Sequence, residues 1–217
     1  MASKQTVLEL AEAFIALTGE KPPSKISVSD IISAAGKNRK TFYYHFVDKN
    51  QLIEWIFRYD FARELKKRFP SSQLVYERDS DAPYSDLPYY AFVKRGIRSL
   101  DGSQIFDALA ACFENRRDYY AKVLKMCESG NLVDYMYSLF LPAMKRDVRF
   151  VLSNRQLKDA SVDFLAEFYL NAALSLIVRR ICDPHYIRVT EGIAPFANIV
   201  HQSLESTIKE QQLRRTL

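Results

Sequence analysis

The chain has 217 residues, which is long enough to bury a hydrophobic core without disulfide bonds, and its 31 Lys and Arg against 26 Asp and Glu give a net charge of +5. It contains only 6 Gly and 8 Pro, and its apolar residues recur mostly at intervals of three and four, so we predict an all-α protein with no sheet. Its apolar runs are shorter than the roughly 20 residues that cross a bilayer, and we expect a soluble, cytoplasmic protein without a membrane segment or secretion signal.

The first 48 residues are predicted to form a helix, at residues 3–18, followed by a helix-turn-helix. The first helix of this motif begins after Ser27, whose hydroxyl can accept a hydrogen bond from a backbone amide near Asp30. Gly36 can adopt the positive φ that ends the helix. Asn38 can then cap the second helix, so the turn is specified by residues on both of its sides.

The second helix of the motif is predicted to have an aromatic, buried side and a basic, exposed side. Phe42 and Phe46 lie four residues apart and can anchor it in the core. The residues expected to point away from the core are Arg39, Lys40, Tyr43 and Tyr44. Residues 1–69 hold 12 Lys and Arg against 8 Asp and Glu, so most of the net charge lies here, as phosphate binding requires. An ordinary helical hairpin with a solvated basic face is the alternative.

The rest of the chain is predicted to be helical after one polar interruption. Asp48 can cap a connecting helix at 49–69, and the acidic, proline-containing residues 70–87 are predicted to form a loop. Further helices are expected at 89–100, 104–115, 117–127, 131–153, 160–182 and 193–212. Pro142 should bend or split the helix that contains it. We therefore predict a helix-turn-helix domain (1–48), a connecting helix (49–69) and a helical carboxyl-terminal domain (70–217).

The helix-turn-helix resembles the DNA-binding signature of the TetR family of bacterial regulators. The matching features are an isoleucine-rich helix, an Ala-Gly turn, a Thr-aromatic-Tyr-x-His-Phe helix and a lysine at the start of the next helix. They are found here as Ile31 and Ile32, Ala35 and Gly36, Thr41-Phe42-Tyr43-Tyr44-His45-Phe46, and Lys49. The resemblance implies a three-helix DNA-binding domain at the amino terminus and a helical ligand-binding and dimerisation domain at the carboxyl terminus.

The resemblance and the geometry of helix-turn-helix proteins together give a set of candidate DNA contacts. Arg39 and Lys40 lie at the start of the recognition helix and are candidates for base contacts, since an arginine can form two hydrogen bonds with guanine O6 and N7. Tyr44 could contact a thymine methyl or a sugar. Phosphate contacts are expected from Thr41, Tyr43, His45 and Lys49, and the set is completed by Lys37 and Asn38. Packing is the alternative for Tyr43, and an internal hydrogen bond is the alternative for His45.

In the carboxyl-terminal domain the resemblance implies a homodimer through the last two helices and a small-molecule effector of unknown identity. Residues Phe164, Phe168, Ala172, Ser175 and Leu176 form one stripe of the predicted helix 160–182, although packing within one chain would need the same pattern. Candidate pocket residues are Phe106, Phe113, Tyr119, Tyr120, Met126, Tyr135, Met136, Phe140, Phe168 and Tyr169, for which ordinary core packing is the alternative. Residues 114–124 also resemble a segment of TetR-like regulators of the dihydroxyacetone-kinase type, from which we infer no ligand.

The predicted function is ligand-responsive regulation of transcription by a homodimer that binds a palindromic double-stranded DNA operator. The expected regulator is a repressor, although the sign depends on where the operator lies. A ligand-binding coactivator or partner protein without its own operator is the alternative. An enzyme, a cofactor and a metal site are not expected, because no phosphate loop, nucleophile elbow, paired carboxylates or metal-ligand spacing occurs. Cys112, Cys127 and Cys182 are isolated and are predicted to be buried, reduced thiols, with redox sensing as the alternative.

Overall fold

The computed structural model describes residues 4–78, 84–126, 130–152, 157–192 and 198–213. Its helices are α1 (Lys4–Glu20), α2 (Val28–Ala34), α3 (Arg39–His45), α4 (Lys49–Arg68), α5 (Ser103–Glu114), α6 (Arg117–Val123), α7 (Leu132–Leu152), α8 (Asp159–Cys182) and α9 (Ile199–Leu213), with short 3-10 turns at Pro23–Lys25 and Ser71–Gln73. Helices α1 to α3 pack together beside α4, and α7 and α8 form the largest helix pair of the second domain. The all-α fold class is confirmed.

Helix α4 packs against both the amino-terminal and the carboxyl-terminal helices through a continuous hydrophobic core. Near its beginning Trp55 packs edge-on against Phe46, with ring centroids 6.5 Å apart. Two residues further on, Phe57 stacks on Phe113 of α5 at 5.8 Å, and Phe61 meets Phe140 of α7 edge-on at 5.8 Å. These rings belong to one hydrophobic cluster, so α4 packs directly against the helices on both sides of it.

Two small β-ladders interrupt the helices, so the prediction of no sheet is wrong, and so is the helix predicted at 89–100. Strand β1 (Leu74–Val75) pairs antiparallel with β2 (Tyr90–Ala91), and β3 (Lys94–Gly96) pairs antiparallel with β4 (Ser99–Leu100). The segment is rich in aromatic and β-branched residues, which favour strands, and it contains Gly96, which disfavours a helix. Arg98 adopts φ +61° in the turn between β3 and β4.

The carboxyl-terminal helices differ from prediction mainly at their ends and at one proline. Helix α7 runs without a break through Pro142, so of the bend or split predicted there, the split does not occur. Proline removes one helical hydrogen bond, and the burial of Phe140 and Ala143 on either side of it holds the helix together. Helix α6 ends at Val123, well before residue 127. Residues 3, 127, 153 and 193–197, at which predicted helices begin or end, lie outside the described residues.

The turn chemistry predicted for the helix-turn-helix is confirmed. Ser27 Oγ accepts from the amide of Asp30 at 3.2 Å, and Asp30 Oδ2 accepts from the amide of Ser27 at 2.7 Å. The Ser27 amide and hydroxyl both donate to the Asp30 carboxylate, and together with an ion pair to Lys21 they lower the pKa of Asp30 to about 2. Gly36 has φ +61°, and Asn38 Oδ1 accepts from the amide of Thr41 at 2.8 Å. The entry to the recognition helix is therefore fixed from both sides.

Replacing Gly36 by alanine is expected to destabilise the protein by about 1 kcal/mol, because a Cβ is strained at positive φ. The Cβ itself would meet no atom within 4 Å, so backbone strain is the sole cause. Gly19 is the matched control, since it lies inside α1 with equally open space around it, and Gly19→Ala should stabilise by about 0.5 to 1 kcal/mol. Chemical denaturation measures both changes, and equal signs for the two variants would contradict the explanation.

Candidate nucleic-acid interface and effector cavity

The recognition helix α3 is held by two buried aromatic residues, as predicted. Phe42 has no exposed surface, Phe46 is buried, and their ring centroids lie 5.7 Å apart. Phe46 in turn contacts Trp55 of α4. With one side of α3 fixed in this way, its orientation follows that of α4.

The opposite side of α3 is exposed and basic. Arg39 and Lys40 are exposed at its first turn, Tyr44 is 71% exposed and Tyr43 is 47% exposed. The Arg39 guanidinium lies 5.7 Å from the centre of the Tyr43 ring, which also meets Phe42 edge-on. Tyr43 therefore supports Arg39 as well as the helix. The structure brings these four predicted residues together on one surface.

Three other predicted DNA contacts mainly organise the motif. Asn38 and Thr41 are joined by two hydrogen bonds, because Asn38 Oδ1 accepts from both the amide and the hydroxyl of Thr41. Lys37 forms an ion pair of 2.6 Å with Glu9 of α1. Asn38 is exposed, and Lys37 and Thr41 are partly exposed beside Arg39, so a phosphate contact is sterically open to them.

Lys49 lies at the first turn of α4, where its ammonium group is occupied by backbone carbonyls. Its Nζ donates to the oxygens of Pro23 and Ile26 at 2.7 and 3.1 Å, with that of Ser24 at 3.4 Å. Lys49 therefore joins the start of α4 to the segment that leads into α2. This arrangement differs from the exposed phosphate contact that the sequence predicts for Lys49.

His45, at the last turn of α3, is half-buried. Its Nε2 atom is buried and has no hydrogen-bond partner within the described part of the chain, and burial lowers its pKa. A neutral ring brings no positive charge to a phosphate. The ring packs edge-on against Tyr44 at 5.1 Å, and its centroid lies 6.1 Å from that of Phe46.

An arginine that the sequence analysis did not select links α4 to the second domain. Arg58 is completely buried and donates to the carbonyl oxygens of Tyr84 and Leu87 at 3.1 and 2.7 Å. It also donates to Glu77 at 2.8 Å and to the Tyr135 hydroxyl of α7 at 3.1 Å. The only signal in the sequence is an arginine within an aromatic helix. Tyr135, predicted as a pocket residue, thus belongs to this buried hydrogen-bond group.

Glu54 gives the domain boundary a pH dependence that can be measured. Burial, reinforced by the Asp48 carboxylate, raises its pKa to about 7, and the hydrogen bond from Tyr84 offsets this in part. Because the pKa of Glu54 is higher in the folded protein than in the unfolded chain, the folded protein loses stability as pH rises. The loss occurs between about pH 4.5 and about pH 7, where the unfolded chain ionises first. Partial exposure reduces the expected loss to about 1 kcal/mol.

We expect Glu54→Gln to remove this loss, so that the variant gains about 1 kcal/mol over the parent at pH 8 and differs little at pH 4.5. Denaturation at both pH values measures the difference. Asp107, whose pKa is also raised by burial, serves as the comparison through Asp107→Asn. An equal difference between Glu54→Gln and the parent at both pH values would contradict the prediction.

Helix α6 and the residue before it make polar contacts with α1 and α4. Arg116, just before α6, donates to both carboxylate oxygens of Glu12 at 2.6 and 3.0 Å and lies 3.3 Å from Asp60 of α4. Lys122 donates to the carbonyl of Thr18 at 2.5 Å. Tyr120, predicted to line a pocket, is buried and donates to Asp60 at 2.9 Å. The segment that resembles dihydroxyacetone-kinase regulators is therefore the junction between the domains.

A cavity of about 80 Å³ lies in the second domain between α4, α5, α7, α8 and α9. Its apolar wall includes Phe61, Phe106, Leu109, Phe140, Met144 and Leu174, and its polar wall is formed by Tyr90 and His201 with Gly102. Of the predicted pocket residues, Phe106 and Phe140 line it. Phe113, Tyr119 and Met136 are buried in the core, and Met126 lies near the start of α4. The sequence analysis missed the polar wall because its residues are far apart in the chain.

Helix α8 presents an apolar surface to solvent. Phe164 and Phe168 are 63% and 57% exposed and stack on each other at 6.0 Å, and Ala172, Ser175 and Leu176 continue the exposed stripe. Phe168, a predicted pocket residue, thus lies outside the cavity. Tyr169, also predicted there, bonds Ser203 and Thr207 of α9 at 2.9 and 3.1 Å. Among the described helices, α8 alone has the length and composition of a membrane span, a property shared by core helices of soluble proteins.

The described thiols and metal-ligand residue types offer no second site. Cys112 is buried, Cys182 is half-buried, and neither is in a disulfide, while Cys127 lies outside the described residues. Burial raises the pKa of both thiols, which keeps them protonated and unreactive. Within the described ranges, no group of three or more His, Cys, Asp or Glu side chains could hold a metal ion.

Comparison with known proteins agrees with this geometry. Residues 10–56 match the family described as bacterial regulatory proteins, tetR family. Over 53 residues, 24% of this chain, the sequence is 43% identical to the HTH-type dhaKLM operon transcriptional activator DhaS of Lactococcus lactis subsp. lactis (strain IL1403), and the match spans 28% of that relative. The solved structure of the dihydroxyacetone kinase operon activator DhaS has the same fold, with a TM-score of 0.52 over 95% of this chain and 98% of that chain at 20% identity. Residues 10–56 of this chain therefore resemble the tetR family of bacterial regulatory proteins, and the chain shares its overall fold with the solved DhaS structure.

Proposed function

We propose that this protein regulates transcription as a homodimer that binds a palindromic operator through α3 and responds to a small molecule in its second domain. The observation that carries the proposal is the exposed surface formed by Arg39, Lys40, Tyr43 and Tyr44 on a helix anchored by Phe42 and Phe46. Exposed arginine and lysine at the start of such a helix can reach guanine edges in the major groove, and their charge attracts phosphates.

A dimer is supported by the exposed stripe of α8. A two-fold axis through this stripe would present two copies of α3 to successive major grooves, as operators with half-sites about 34 Å apart require. Arg39 and Lys40 would then contact equivalent bases in each half-site. Helix α8, which carries the stripe, is one of the two helices through which the family resemblance implies a dimer.

A small-molecule response is supported by the cavity and by its position relative to α4. Phe61 of α4 and Phe140 of α7 are both in its wall, and they contact each other. A molecule that favours one arrangement of these helices over another would change the orientation of α4 and the separation of the two recognition helices. The ligand must bind the two arrangements with different affinity, because equal affinity shifts no equilibrium.

Selection of bound fragments from a random DNA pool tests the proposal. We expect an enriched palindrome, salt-dependent binding, and loss of both in a variant that combines Arg39→Ala with Lys40→Ala. A variant combining Lys66→Ala with Lys158→Ala removes the same charge from exposed positions away from α3 and should keep the palindrome. Enrichment without a palindrome would reject the dimeric operator.

The sign of regulation is tested with a reporter placed behind the selected operator. A repressor is expected from the sequence, whereas the relative DhaS is named an activator, so lower or higher expression distinguishes the two. The alternative, a ligand-binding coactivator without its own operator, predicts no enriched sequence and no effect of the double substitution at Arg39 and Lys40. The exposure of both side chains favours the regulator that binds DNA itself.

A further inference from the structure

Two polar residues of the cavity wall, Tyr90 and His201, are joined through a third residue, Asp147, and all three lie far apart in the chain. His201 of α9 is buried, and its Nε2 lies 3.1 Å from Oδ2 of Asp147 on α7. The same carboxylate oxygen accepts the hydroxyl hydrogen of Tyr90 on β2 at 2.5 Å. Tyr90 and His201 both line the cavity, and Asp147 stands behind them. The cavity thus has one polar corner in an otherwise apolar wall.

The hydrogen bonds at this corner determine which nitrogen of His201 carries hydrogen. Burial and the neighbouring Asp147 carboxylate raise the pKa of Tyr90 well above its ordinary value, so the hydroxyl keeps its proton and donates it. Asp147 Oδ2 therefore acts as an acceptor, and Nε2 of His201 must bring the hydrogen that joins them. In the neutral ring the other nitrogen, Nδ1, is then a hydrogen-bond acceptor.

Gly102 allows the Nδ1 edge of the His201 ring to pack closely against the backbone at a point where both residues line the cavity. A Cβ at position 102 would come within 2.4 Å of Nδ1 and 2.5 Å of Cε1 of His201, closer than real contacts allow. The φ of Gly102 is −96°, which other residues also adopt, so the close approach is the reason for glycine here. Within the described part of the chain, Nδ1 of His201 makes no hydrogen bond.

The size and the apolar walls of the cavity restrict which ligand groups could donate a hydrogen bond to Nδ1 of His201. At about 80 Å³ the cavity has roughly half the volume of the engineered cavity of about 150 Å³ that holds benzene. Its remaining walls are side chains such as Phe106, Leu109 and Met144, which oppose the burial of a charge. An ammonium group is therefore disfavoured as the donor, and an uncharged hydroxyl suits the site.

We infer that the cavity binds a compact, mainly apolar alcohol whose hydroxyl donates a hydrogen bond to Nδ1 of His201. The inference deepens the proposed function and rests on it for the assignment of this cavity as the effector site. Tyr90 and Asp147 hold the ring in the accepting tautomer, and Gly102 gives it room. The alcohol class follows from one acceptor in an apolar space too small for a second polar group.

Two isomers test the inference directly. 1-Butanol and diethyl ether have the same formula, but only the alcohol donates a hydrogen bond. In titrations of the full-length protein followed by NMR of its ¹⁵N-labelled imidazole and backbone groups, the alcohol should bind about tenfold more tightly than the ether. The imidazole signals should also show Nδ1 of His201 without hydrogen before the titration and should shift on addition of the alcohol.

Two variants assign the preference to His201. Gly102→Ala displaces the ring while keeping every polar group, and His201→Phe removes the acceptor. Both variants should therefore bind 1-butanol and diethyl ether about equally. Gly96→Ala is the matched control, since a Cβ there meets nothing within 4 Å, and it should keep the preference. Equal binding of the isomers to the parent protein, saturable binding of neither, or a preference that survives in both variants would overturn the inference.

Operator binding is measured on the same samples, so that the two hypotheses fail separately. An intact operator complex with equal binding of both isomers overturns the alcohol inference alone. A parent protein that distinguishes the isomers but binds no operator overturns the proposed function, while the reading of the cavity as an alcohol site is supported. If saturating 1-butanol changes the operator affinity of the parent protein but not that of Gly102→Ala, both the alcohol inference and the proposed function are supported.

Discussion

Replacing Phe168 by glutamate is expected to convert the proposed dimer into a monomer, with the dissociation constant of that dimer raised at least about 100-fold. The side chain is 57% exposed in a single chain and stacks on Phe164, so the substitution costs the monomer little. In a dimer formed through α8, the new carboxylates would be buried near an apolar surface without a partner, which costs several kcal/mol. Sedimentation equilibrium of the parent and the variant measures the change.

The loss of the dimer should also appear in DNA binding. Affinity of Phe168→Glu for a palindrome should fall toward that for a single half-site, while the affinity for a half-site should stay that of the parent. Ile97→Glu is the matched control, because Ile97 is 95% exposed on the turn between β3 and β4, away from α8. A Phe168→Glu variant that remains a dimer would place the interface elsewhere.

The proposed dimer interface would explain the composition of α8. Leu170, Leu174 and Ile177 are buried inside the chain, and the opposite side carries the exposed stripe, so the helix is apolar on two sides. Small side chains at Ala172 and Ser175 would allow close approach of a second helix. An apolar helix with two packed faces has the composition of a membrane span without needing a bilayer.

The sequence predicted the helix-turn-helix well because its determinants are local. The hydrogen bonds of Ser27 with Asp30 and of Asn38 with Thr41 join residues three positions apart, and the φ of Gly36 is a property of one residue. Burial of Phe42 and Phe46 follows from their spacing of four on a short helix. Each of these features can be read from a few neighbouring letters.

Features that depend on distant residues were not predicted. The ladder of β1 and β2 joins residues 15 or more positions apart, and the partners of Arg58 extend to Tyr135, 77 positions away. Helical spacing shows that Phe106 and Phe113 face inward, but it does not show which of them meets a cavity and which meets another helix. The polar wall needs Tyr90 and His201 to meet at Asp147, which only the tertiary fold brings about.

Arg39→Ala and Lys49→Ala are expected to weaken operator binding in different ways. Arg39 is exposed at the start of α3 and is proposed to read a base, so its loss should cost about 1 to 3 kcal/mol and should relax the preference at one position of each half-site. The Lys49→Ala substitution should weaken binding to all sequences by a similar factor. Titrations against operator variants at several salt concentrations measure both effects.

The salt dependence distinguishes a phosphate contact of Lys49 from a structural role. A lysine that neutralises a phosphate contributes about one to the slope of log affinity against log salt, and its removal lowers the slope by that amount. The Nζ of Lys49 instead donates to the carbonyls of Pro23 and Ile26, which would lose their donor. We therefore expect an unchanged slope and a loss of about 1 to 2 kcal/mol of folding stability.

Two further variants complete the comparison. Lys49→Met keeps the aliphatic stem and should still lose stability, because the lost group is the ammonium that holds the segment before α2. Lys40→Ala, at an exposed position of α3, should lower the slope or the affinity without a change in stability. A lower slope and unchanged stability for Lys49→Met would show that Lys49 contacts phosphate, as the sequence predicts. The opposite result would make Lys49 the residue that holds the segment before α2 against the start of α4.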